Sequence, residues 1–294
     1  MNWKFTTAVE LFERIESSGL GFADYLVERD AFYSGSSAEA VRAEIARRIR
    51  ITRDSIDTGA SRAQKSFSGM TDGAAVKVAS PARPLPVADE LFRLALVYSL
   101  AGNEVNACGG KIVAFPTAGS SGIVPGCLWA WRDARARALG PDSRQFQDAF
   151  VAASGVGMLI AARATLAGAA GGCQAECGAA AAMAAAGLCA LMGLGFRESV
   201  DAAALSLKNS LGLACDPVAG LVEVPCVKRN AFMSANALTA ATLAAAGVAS
   251  AIPFDEVVGA MKAIGDAMPS SIKESAEGGL AATPTGLAYK LKIQ

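Results

Sequence analysis

The chain has 294 residues, of which 52% are hydrophobic, enough apolar side chain for a sizeable core. Its 27 Lys and Arg residues balance 27 Asp and Glu residues, so composition provides no electrostatic drive toward nucleic acid or an anionic membrane surface. Histidine is absent, which removes the commonest acid–base residue and the commonest zinc and copper ligand. Any general base must be another residue type or come from another chain.

The N-terminal residues include acids where a signal peptide needs an apolar segment, so we expect a cytosolic protein. Residues 1–66 are predicted to be helical. Ser36 and Glu39 have the spacing of a capping box, and Gly59 is the expected end of the helix that follows. The apolar residues between them recur at the spacing of one buried helix face: Val41, Ile45, Ile49 and Ile56.

The stretch Val78–Pro86 contains three prolines and cannot continue a helix. We interpret it as a linker between an N-terminal helical segment, residues 1–80, and a larger domain, residues 81–294. The second part is rich in Ala and Gly and has few alternating β-branched runs. The predicted fold class is therefore all-α.

Two apolar runs could be long enough to cross a membrane. Residues 177–196 are uncharged, but they are mostly Ala and Gly, which suit close helix packing inside a protein. Residues 235–252 include Ser, Thr and Asn and lack positive flanks. Both runs are predicted to be buried core helices, with no membrane contact.

Seven cysteines in a cytosolic chain indicate thiols or metal ligands rather than disulfides. Two segments, residues 168–178 and 215–226, place cysteine beside Gly or Pro, where backbone bends can direct several thiolates to one point. Without histidine, an all-sulfur site favours an iron-sulfur cluster or structural zinc, but neither segment has the C-x2-C spacing typical of zinc. Spacing alone leaves open which cysteines are ligands. We interpret Cys108, Cys127 and Cys189 as small buried apolar residues.

Several motifs together resemble the alpha subunit of iron-sulfur-dependent L-serine dehydratase. The resemblance covers nearly the whole chain and is most specific between residues 100 and 286. The motifs are NEVN at 103–106, PTAGSSG at 116–122, GAAGGCQAE at 168–176, LKNSLGLACDPVAGLVEVPCVKRN at 207–230 and GGLAATPTG at 278–286.

The resemblance implies a 4Fe-4S cluster held by Cys173, Cys215 and Cys226, with one iron left open as a Lewis acid. It implies a lyase that converts L-serine to pyruvate and ammonia. Cys177 stands where relatives are expected to have an aliphatic residue, so it is treated as a departure and not as a fourth ligand.

The resemblance also implies roles for polar residues. The hydroxyl-rich loop is the predicted site of the substrate carboxylate, through Thr117, Ser120 and Ser121. Predicted polar contacts to substrate are Asn103, Asn106 and Asn230. Lys208 and Lys228 are interpreted as cations that balance the cluster charge rather than as bases. Because relatives also need a module with a Ser-His-rich segment, a separate beta subunit is expected in a hetero-oligomer.

Three alternatives stand beside this reading. A pyridoxal phosphate enzyme with Lys208 as the Schiff-base lysine would need an α/β sheet, which the helical pattern contradicts. A related iron-sulfur lyase could expel sulfide from cysteine instead of water from serine. An Ala-rich scaffold or membrane subunit with inert cysteines is the non-enzymatic alternative.

Overall fold

The computed structural model describes residues 3–87 and 89–293, and it folds most of them as helix. Within those residues there is no β-sheet, and the only strand-like pairings are two isolated bridges, Lys65 with Asp72 and Cys215 with Lys273. The all-α prediction is therefore confirmed. The helices in chain order are α1 (Ala8–Ser18), α2 (Phe22–Ser34), α3 (Ala38–Ser61), α4 (Ala74–Ala79), α5 (Glu90–Ala107), α6 (Ile123–Arg135), α7 (Arg144–Arg163), α8 (Gly168–Gly171), α9 (Ala179–Leu191), α10 (Phe196–Lys208), α11 (Cys226–Ala245), α12 (Phe254–Ala267) and α13 (Pro284–Ile293).

Helix α9 is at the centre of the molecule and packs against α6, α7, α10 and α11. Its sequence is mainly alanine, so it combines the highest helix propensity with a side chain small enough for neighbouring helices to approach closely. In the described part of the chain one segment, Gln174–Leu191, is long and apolar enough to cross a membrane, and 89% of it is buried inside the protein. It is the core helix that the sequence predicts.

The N-terminal helices contribute to the same core as the Ala-rich helices. Tyr25 of α2 and Ile56 of α3 are fully buried there together with Phe146 of α7. Trp129 of α6 donates a hydrogen bond to the hydroxyl of Thr52 in α3, at 2.9 Å. The residues after α4 are irregular, as the three prolines predict. The proposed division into domains near residue 80 stays a prediction.

Both predicted ends of α3 were wrong. Ser37, and not Ser36, caps the helix, because its hydroxyl accepts a hydrogen bond from the first turn. The helix also continues past Gly59. There α3 crosses α5 so closely that a Cβ on Gly59 would lie 2.3 Å from the carbonyl oxygen of Ala101. This glycine therefore permits a helix crossing rather than ending a helix.

Candidate functional site

Four of the seven cysteines lie close together, on three separate segments. Cys173 directly precedes a turn of π-helix, Gln174–Gly178, which also contains Cys177. Cys215 lies in the connection between α10 and α11, and Cys226 is the first residue of α11. A π-helical turn is rare and is often found at functional sites.

The side chain of Gln174 fixes the position of the π-helical turn. Its Nε2 donates to the carbonyl oxygen of Met261 in α12 at 2.8 Å, and its Oε1 accepts from the amide of Gly212 at 3.0 Å. The backbone amide of Gln174 also donates to the carbonyl oxygen of Leu213. Because Gln174 is fully buried, these bonds satisfy its amide group and bring Cys173 next to the segment that carries Cys215.

The four thiols are all buried, and each interacts with at least one other. Cys173, Cys177 and Cys215 are 2–3% exposed and Cys226 is 8% exposed. The sulfur of Cys173 is in hydrogen-bonding contact with those of Cys177 and Cys215, and the charge of Cys173 acts on Cys226. The structure therefore places Cys215 in contact with Cys173, and Cys226 close enough to be affected by the charge of Cys173. That these three cysteines are ligands stays a prediction.

The pKa values of these thiols depend on one another. Hydrogen bonds from Cys177 and Cys215 hold the pKa of Cys173 well below its usual range. The same contacts with Cys173, followed by burial, raise the pKa of Cys177 and that of Cys215. Burial raises the pKa of Cys226 to about 12. One thiolate is thus favoured in the metal-free chain, and a bound metal would have to displace the other protons.

Arg229 supplies the positive charge beside these sulfurs. Its guanidinium is in hydrogen-bonding contact with Cys173 and donates to the carbonyl oxygen of Ala214 at 2.8 Å. Burial alone would lower the pKa of Arg229, but the negative charge of Cys173 outweighs it and raises the pKa. The two lysines that the sequence analysis assigned to charge balance lie elsewhere: Lys208 donates to Ser250 at 3.1 Å, and Lys228 is exposed.

The segment after α12 packs against the segment that carries Cys215. The amide of Cys215 donates to the carbonyl oxygen of Ile272 at 2.9 Å, and the amide of Glu274 donates to the carbonyl oxygen of Cys215 at 2.7 Å. Asp216 accepts a hydrogen bond from the amide of Leu280 at 2.9 Å. Next to it Gly279 has φ +58°, and a Cβ there would lie 2.5 Å from the Asp216 carboxylate. These contacts account for Gly279, the second glycine of the GGLAATPTG motif.

The hydroxyl-rich loop between α5 and α6 reaches the same pocket. Thr117 is in hydrogen-bonding contact with the carboxylate of Glu176 in the π-helical turn. The hydroxyl of Ser120 donates to the carbonyl oxygen of Phe115 at 2.9 Å and lies 3.1 Å from the hydroxyl of Thr117. Both Ser120 and Ser121 are buried. Among the described residues, the backbone amides of positions 118–120 have no hydrogen-bond acceptor, which leaves three consecutive donors in the loop.

Two of the three predicted asparagines, Asn103 and Asn230, bind the backbone of this loop. Asn103 Nδ2 donates to the carbonyl oxygens of Ala118 at 3.1 Å and Gly119 at 3.0 Å. Asn230 Nδ2 donates to Gly119 at 2.8 Å, and its Oδ1 accepts from the amide of Gly122 at 3.0 Å. Both side chains are fully buried.

Asn106 and the side-chain oxygen of Asn103 are not part of these contacts with the loop. The Oδ1 of Asn103 is buried without a hydrogen-bond partner among the described residues. Asn106 is half-buried near the end of α5. Its backbone carbonyl accepts from the amide of Gly109 at 3.0 Å. The predicted contacts of these asparagines with substrate stay predictions.

The loop and the cysteines meet at Glu176. Its Oε2 lies 3.5 Å from the sulfur of Cys215, which donates to it. Burial, the strongest influence, raises the pKa of Glu176, and the negative charges of Cys173 and Glu274 act in the same direction. The carboxylate oxygens of Glu176 and Glu274 and the sulfur of Cys215 all lie within 4.8 Å of one another. The arrangement thus combines soft sulfur donors, hydrogen-bond donors for an anion and a carboxylate in one site.

The family model for the serine dehydratase alpha chain matches residues 11–281. The chain belongs to the serine dehydratase alpha chain family. Similar members include the probable L-serine dehydratase alpha chain of Bacillus subtilis, 40% identical over 98% of this chain and 95% of the relative. The probable alpha chain from Latilactobacillus sakei is 53% identical over 66% of this chain and 91% of the relative. The L-serine dehydratase alpha chain of Peptoniphilus asaccharolyticus is 38% identical over 95% of both chains.

Sequence reasoning missed the charged residues of this family member's site. Arg229, Asp216 and Glu176 stand inside the motifs that carry the resemblance, but their pattern in the sequence does not indicate what they contact. Arg229 follows Cys226 by three positions in a helix, so both side chains face the same side. This spacing could have indicated that Arg229 faces the cysteine site.

Two buried carboxylates were also missed. Glu223 accepts a hydrogen bond from the amide of Ser68 at 3.0 Å and from the hydroxyls of Ser66 and Ser68. Glu104 accepts from the amide of Gly73 at 3.1 Å. Together they fasten the segment between α3 and α4 to the elements that carry the site.

The remaining cysteines lie outside the sulfur pocket. Cys127 contacts the carbonyl oxygen of Ser234, and Cys189 contacts that of Glu198, each at 3.8 Å. Burial raises the pKa of Cys189 to about 12, so its thiol stays protonated. Cys108 is half-buried at the end of α5. Cys127 and Cys189 are therefore buried core residues, as the sequence analysis predicts, whereas the prediction that Cys108 is buried was wrong, because it lies partly exposed just after the last turn of α5.

Proposed function

We propose that this chain is the cluster-bearing subunit of a cytosolic L-serine dehydratase, which converts L-serine to pyruvate and ammonia. The observation that supports this most directly is the convergence of Cys173, Cys215 and Cys226 in one buried pocket beside the loop that begins at Thr117. Relatives that align along nearly the whole chain are described as L-serine dehydratase alpha chains.

The residues of the pocket fit a 4Fe-4S cluster. Its donors are cysteine sulfurs from three segments, they are shielded from water, and a partly buried arginine, Arg229, lies beside them. Soft thiolate donors select iron-sulfur clusters or zinc, and a neighbouring cation offsets the negative charge of the ligands. Cys173, Cys215 and Cys226 would hold the cluster. When bound, it supplies an iron with an open coordination position, a Lewis acid for the β-hydroxyl of the substrate.

The loop after Phe115 would bind the substrate carboxylate. The amides of positions 118–120, which have no acceptor among the described residues, and the hydroxyl of Thr117 are suited to an anion, as in other backbone nests. The hydroxyl of Ser120 already donates to Phe115, so Ser120 and Ser121 shape the loop that Thr117 presents. Asn103 and Asn230 would orient the loop through its carbonyl groups, and Asn106 is proposed to contact substrate from the end of α5.

Elimination of water also requires a base for the α-proton of serine. The chain contains no histidine, and we propose that a beta subunit completes the site with an acid–base group. The alpha-chain descriptions of the relatives agree with a second subunit. The cluster-bearing chain alone would then turn over slowly, and the working enzyme would be a hetero-oligomer.

Anaerobic reconstitution tests this proposal. The purified chain is treated with ferrous iron and sulfide, and the visible spectrum, iron content and sulfide content per chain are measured. Pyruvate and ammonia formation from L-serine is then assayed with and without a beta chain. We expect a broad brown absorbance, four iron atoms per chain, and activity that rises strongly when the beta chain is added.

Cysteine variants provide the matched controls. Cys215→Ala should lose the absorbance, whereas Cys189→Ala, an equally buried thiol outside the pocket, should keep it. A wild-type chain that takes up no iron or sulfide would refute the cluster. Full activity from this chain alone would refute the beta subunit, and turnover of L-cysteine in place of L-serine would refute the substrate.

A further inference from the structure

Glu176 is a partly buried carboxylate without a cation of its own. It contacts the hydroxyl of Thr117 and the sulfur of Cys215. Among the described residues no Lys or Arg forms an ion pair with it, since Arg229, the cation of the site, pairs with Asp216 and Cys173. A carboxylate withdrawn from water needs a compensating positive charge or a full set of hydrogen-bond donors. Within the described residues, Glu176 has no cation and only two side-chain donors, Thr117 and Cys215.

The backbone around Glu176 keeps space open for its carboxylate. A Cβ on Gly168 would lie 2.4 Å from Oε2 of Glu176 and 3.0 Å from the sulfur of Cys215. A Cβ on Gly119 would lie 3.7 Å from Oε1, the other oxygen of the same carboxylate. The carboxylate therefore lies close to a glycine of the cysteine segment and to a glycine of the hydroxyl-rich loop.

We infer that Glu176 receives the α-ammonium group of the substrate and thereby selects amino acids over other hydroxy acids. This inference rests on the proposed function, because it assigns the third polar group of the same substrate. In L-serine the ammonium and carboxylate groups share one carbon, and the hydroxyl is on the next carbon. A residue that binds the ammonium must therefore lie within a few ångströms of both the carboxylate loop and the sulfur pocket, and Glu176 contacts both.

Glu274 adds to this charge from the entrance of the site. Its side chain is exposed, and its carboxylate lies within 4.8 Å of the carboxylate of Glu176 and of the sulfur of Cys215. An arriving ammonium group would meet Glu274 first and Glu176 at greater depth. A charge-assisted hydrogen bond of this kind contributes more than a neutral one.

The test compares two ligands that differ at the amino group. 3-Hydroxypropanoate keeps the carboxylate and the hydroxyl of L-serine and lacks only the ammonium. In the reconstituted enzyme, the KM for L-serine is measured together with the Kd of 3-hydroxypropanoate from anaerobic calorimetry. Glu176→Gln should raise the KM for L-serine by about tenfold or more and change the Kd of 3-hydroxypropanoate by less than about threefold. Glu277→Gln, an exposed carboxylate of the same segment as Glu274, is the matched control and should change neither.

The outcomes separate the inference from the proposed function. If Glu176→Gln weakens both ligands equally, or weakens neither, the inference is wrong even though the wild-type enzyme acts on L-serine. If the wild-type chain binds no cluster and does not turn over L-serine with its partner, the proposed function itself fails. Visible absorbance and thermal unfolding of Glu176→Gln show whether the cluster and the fold are intact, so a loss of either cannot be mistaken for lost recognition.

Discussion

The guanidinium group of Arg229 lies against the sulfur of Cys173, and the same side chain donates to the backbone of the segment that carries Cys215. Arg229 is in α11, which begins at Cys226. One side chain thus connects all three segments that provide the proposed ligands. It holds them together and offsets the negative charge that three thiolates would bring into a buried pocket.

Replacing Arg229 should make the proposed cluster easier to lose. In Arg229→Gln the charge is gone, and hydrogen bonds to charged groups typically contribute about 1.5–3 kcal/mol, so we expect iron to be released to a chelator about tenfold faster or more. Arg229→Lys keeps the charge without the forked geometry of the guanidinium group. Its rate of iron release should lie between those of the wild type and Arg229→Gln. The measurement is the anaerobic decay of visible absorbance.

The neighbouring Lys228 provides the control for this prediction, since it is exposed and carries the same charge. Lys228→Gln should release iron at the wild-type rate. Equal rates for Lys228→Gln and Arg229→Gln would show that the contact with Cys173 has no specific effect.

A methyl group at Gly168 should disable the site with little effect on the fold. The added Cβ would overlap the carboxylate of Glu176, at 2.4 Å, and press on Cys215. We expect Gly168→Ala to lower cluster content and L-serine turnover by about tenfold or more, because either neighbour must move from its position. Gly140→Ala is the control, since no atom lies within 4 Å of its added Cβ. Wild-type turnover by Gly168→Ala would show that the pocket can rearrange freely.

Cys177 should prove dispensable for holding iron. It is fully enclosed next to Cys173, and its thiol donates to that sulfur. We expect Cys177→Ala to bind as much iron and sulfide per chain as the wild type, whereas Cys226→Ala should lose most of both. Iron and sulfide content per chain, measured in parallel for the two variants, tests this prediction. A Cys177→Ala chain without a cluster would make this residue a fourth ligand.

The sequence was sufficient to predict the helical fold, whereas the choice of Cys173, Cys215 and Cys226 as ligands came from the family resemblance and stays a prediction. Alanine-rich runs such as residues 179–191 favour helix wherever they are placed, so this part of the fold depends on local sequence. Cysteines beside Gly and Pro stand out in such a background. The position of the hydroxyl-rich loop followed from the family resemblance and not from the residues alone.

The roles of several residues could not be predicted from the sequence, because they depend on contacts between residues that are far apart in the chain. Gly59 has the appearance of a helix end until its contact with Ala101 is known. Asp216 and Leu280 are 64 positions apart, and Glu223 and Ser68 are 155 apart. A charged residue in a motif can face solvent or a buried partner, and only the packing of the helices distinguishes the two.

A pH-dependent contribution to stability should come from Asp133 in α6. Burial alone would raise the pKa of this carboxyl, but hydrogen bonds from Arg132, Tyr98 and Arg53 outweigh it and lower the pKa. A carboxyl whose pKa is lower in the folded than in the unfolded chain stabilises the fold above its unfolded pKa, about 3.9 for Asp. This contribution is lost as the pH falls through the lower, folded value.

Asp133→Asn should therefore lower the free energy of unfolding by about 2–4 kcal/mol at pH 7, because it leaves Arg53 partly buried without one of its carboxylates. The difference from the wild type should shrink as the pH falls below about 4, where Asp133 becomes protonated in the unfolded chain but stays ionised in the folded one. Urea denaturation of both proteins between pH 3 and pH 7 measures it. Asp142→Asn removes the exposed partner of Arg50 and should cost less than about 1 kcal/mol at any pH in that range. A destabilisation by Asp133→Asn that stays constant down to pH 3 would mean that the lost contacts are steric and not electrostatic.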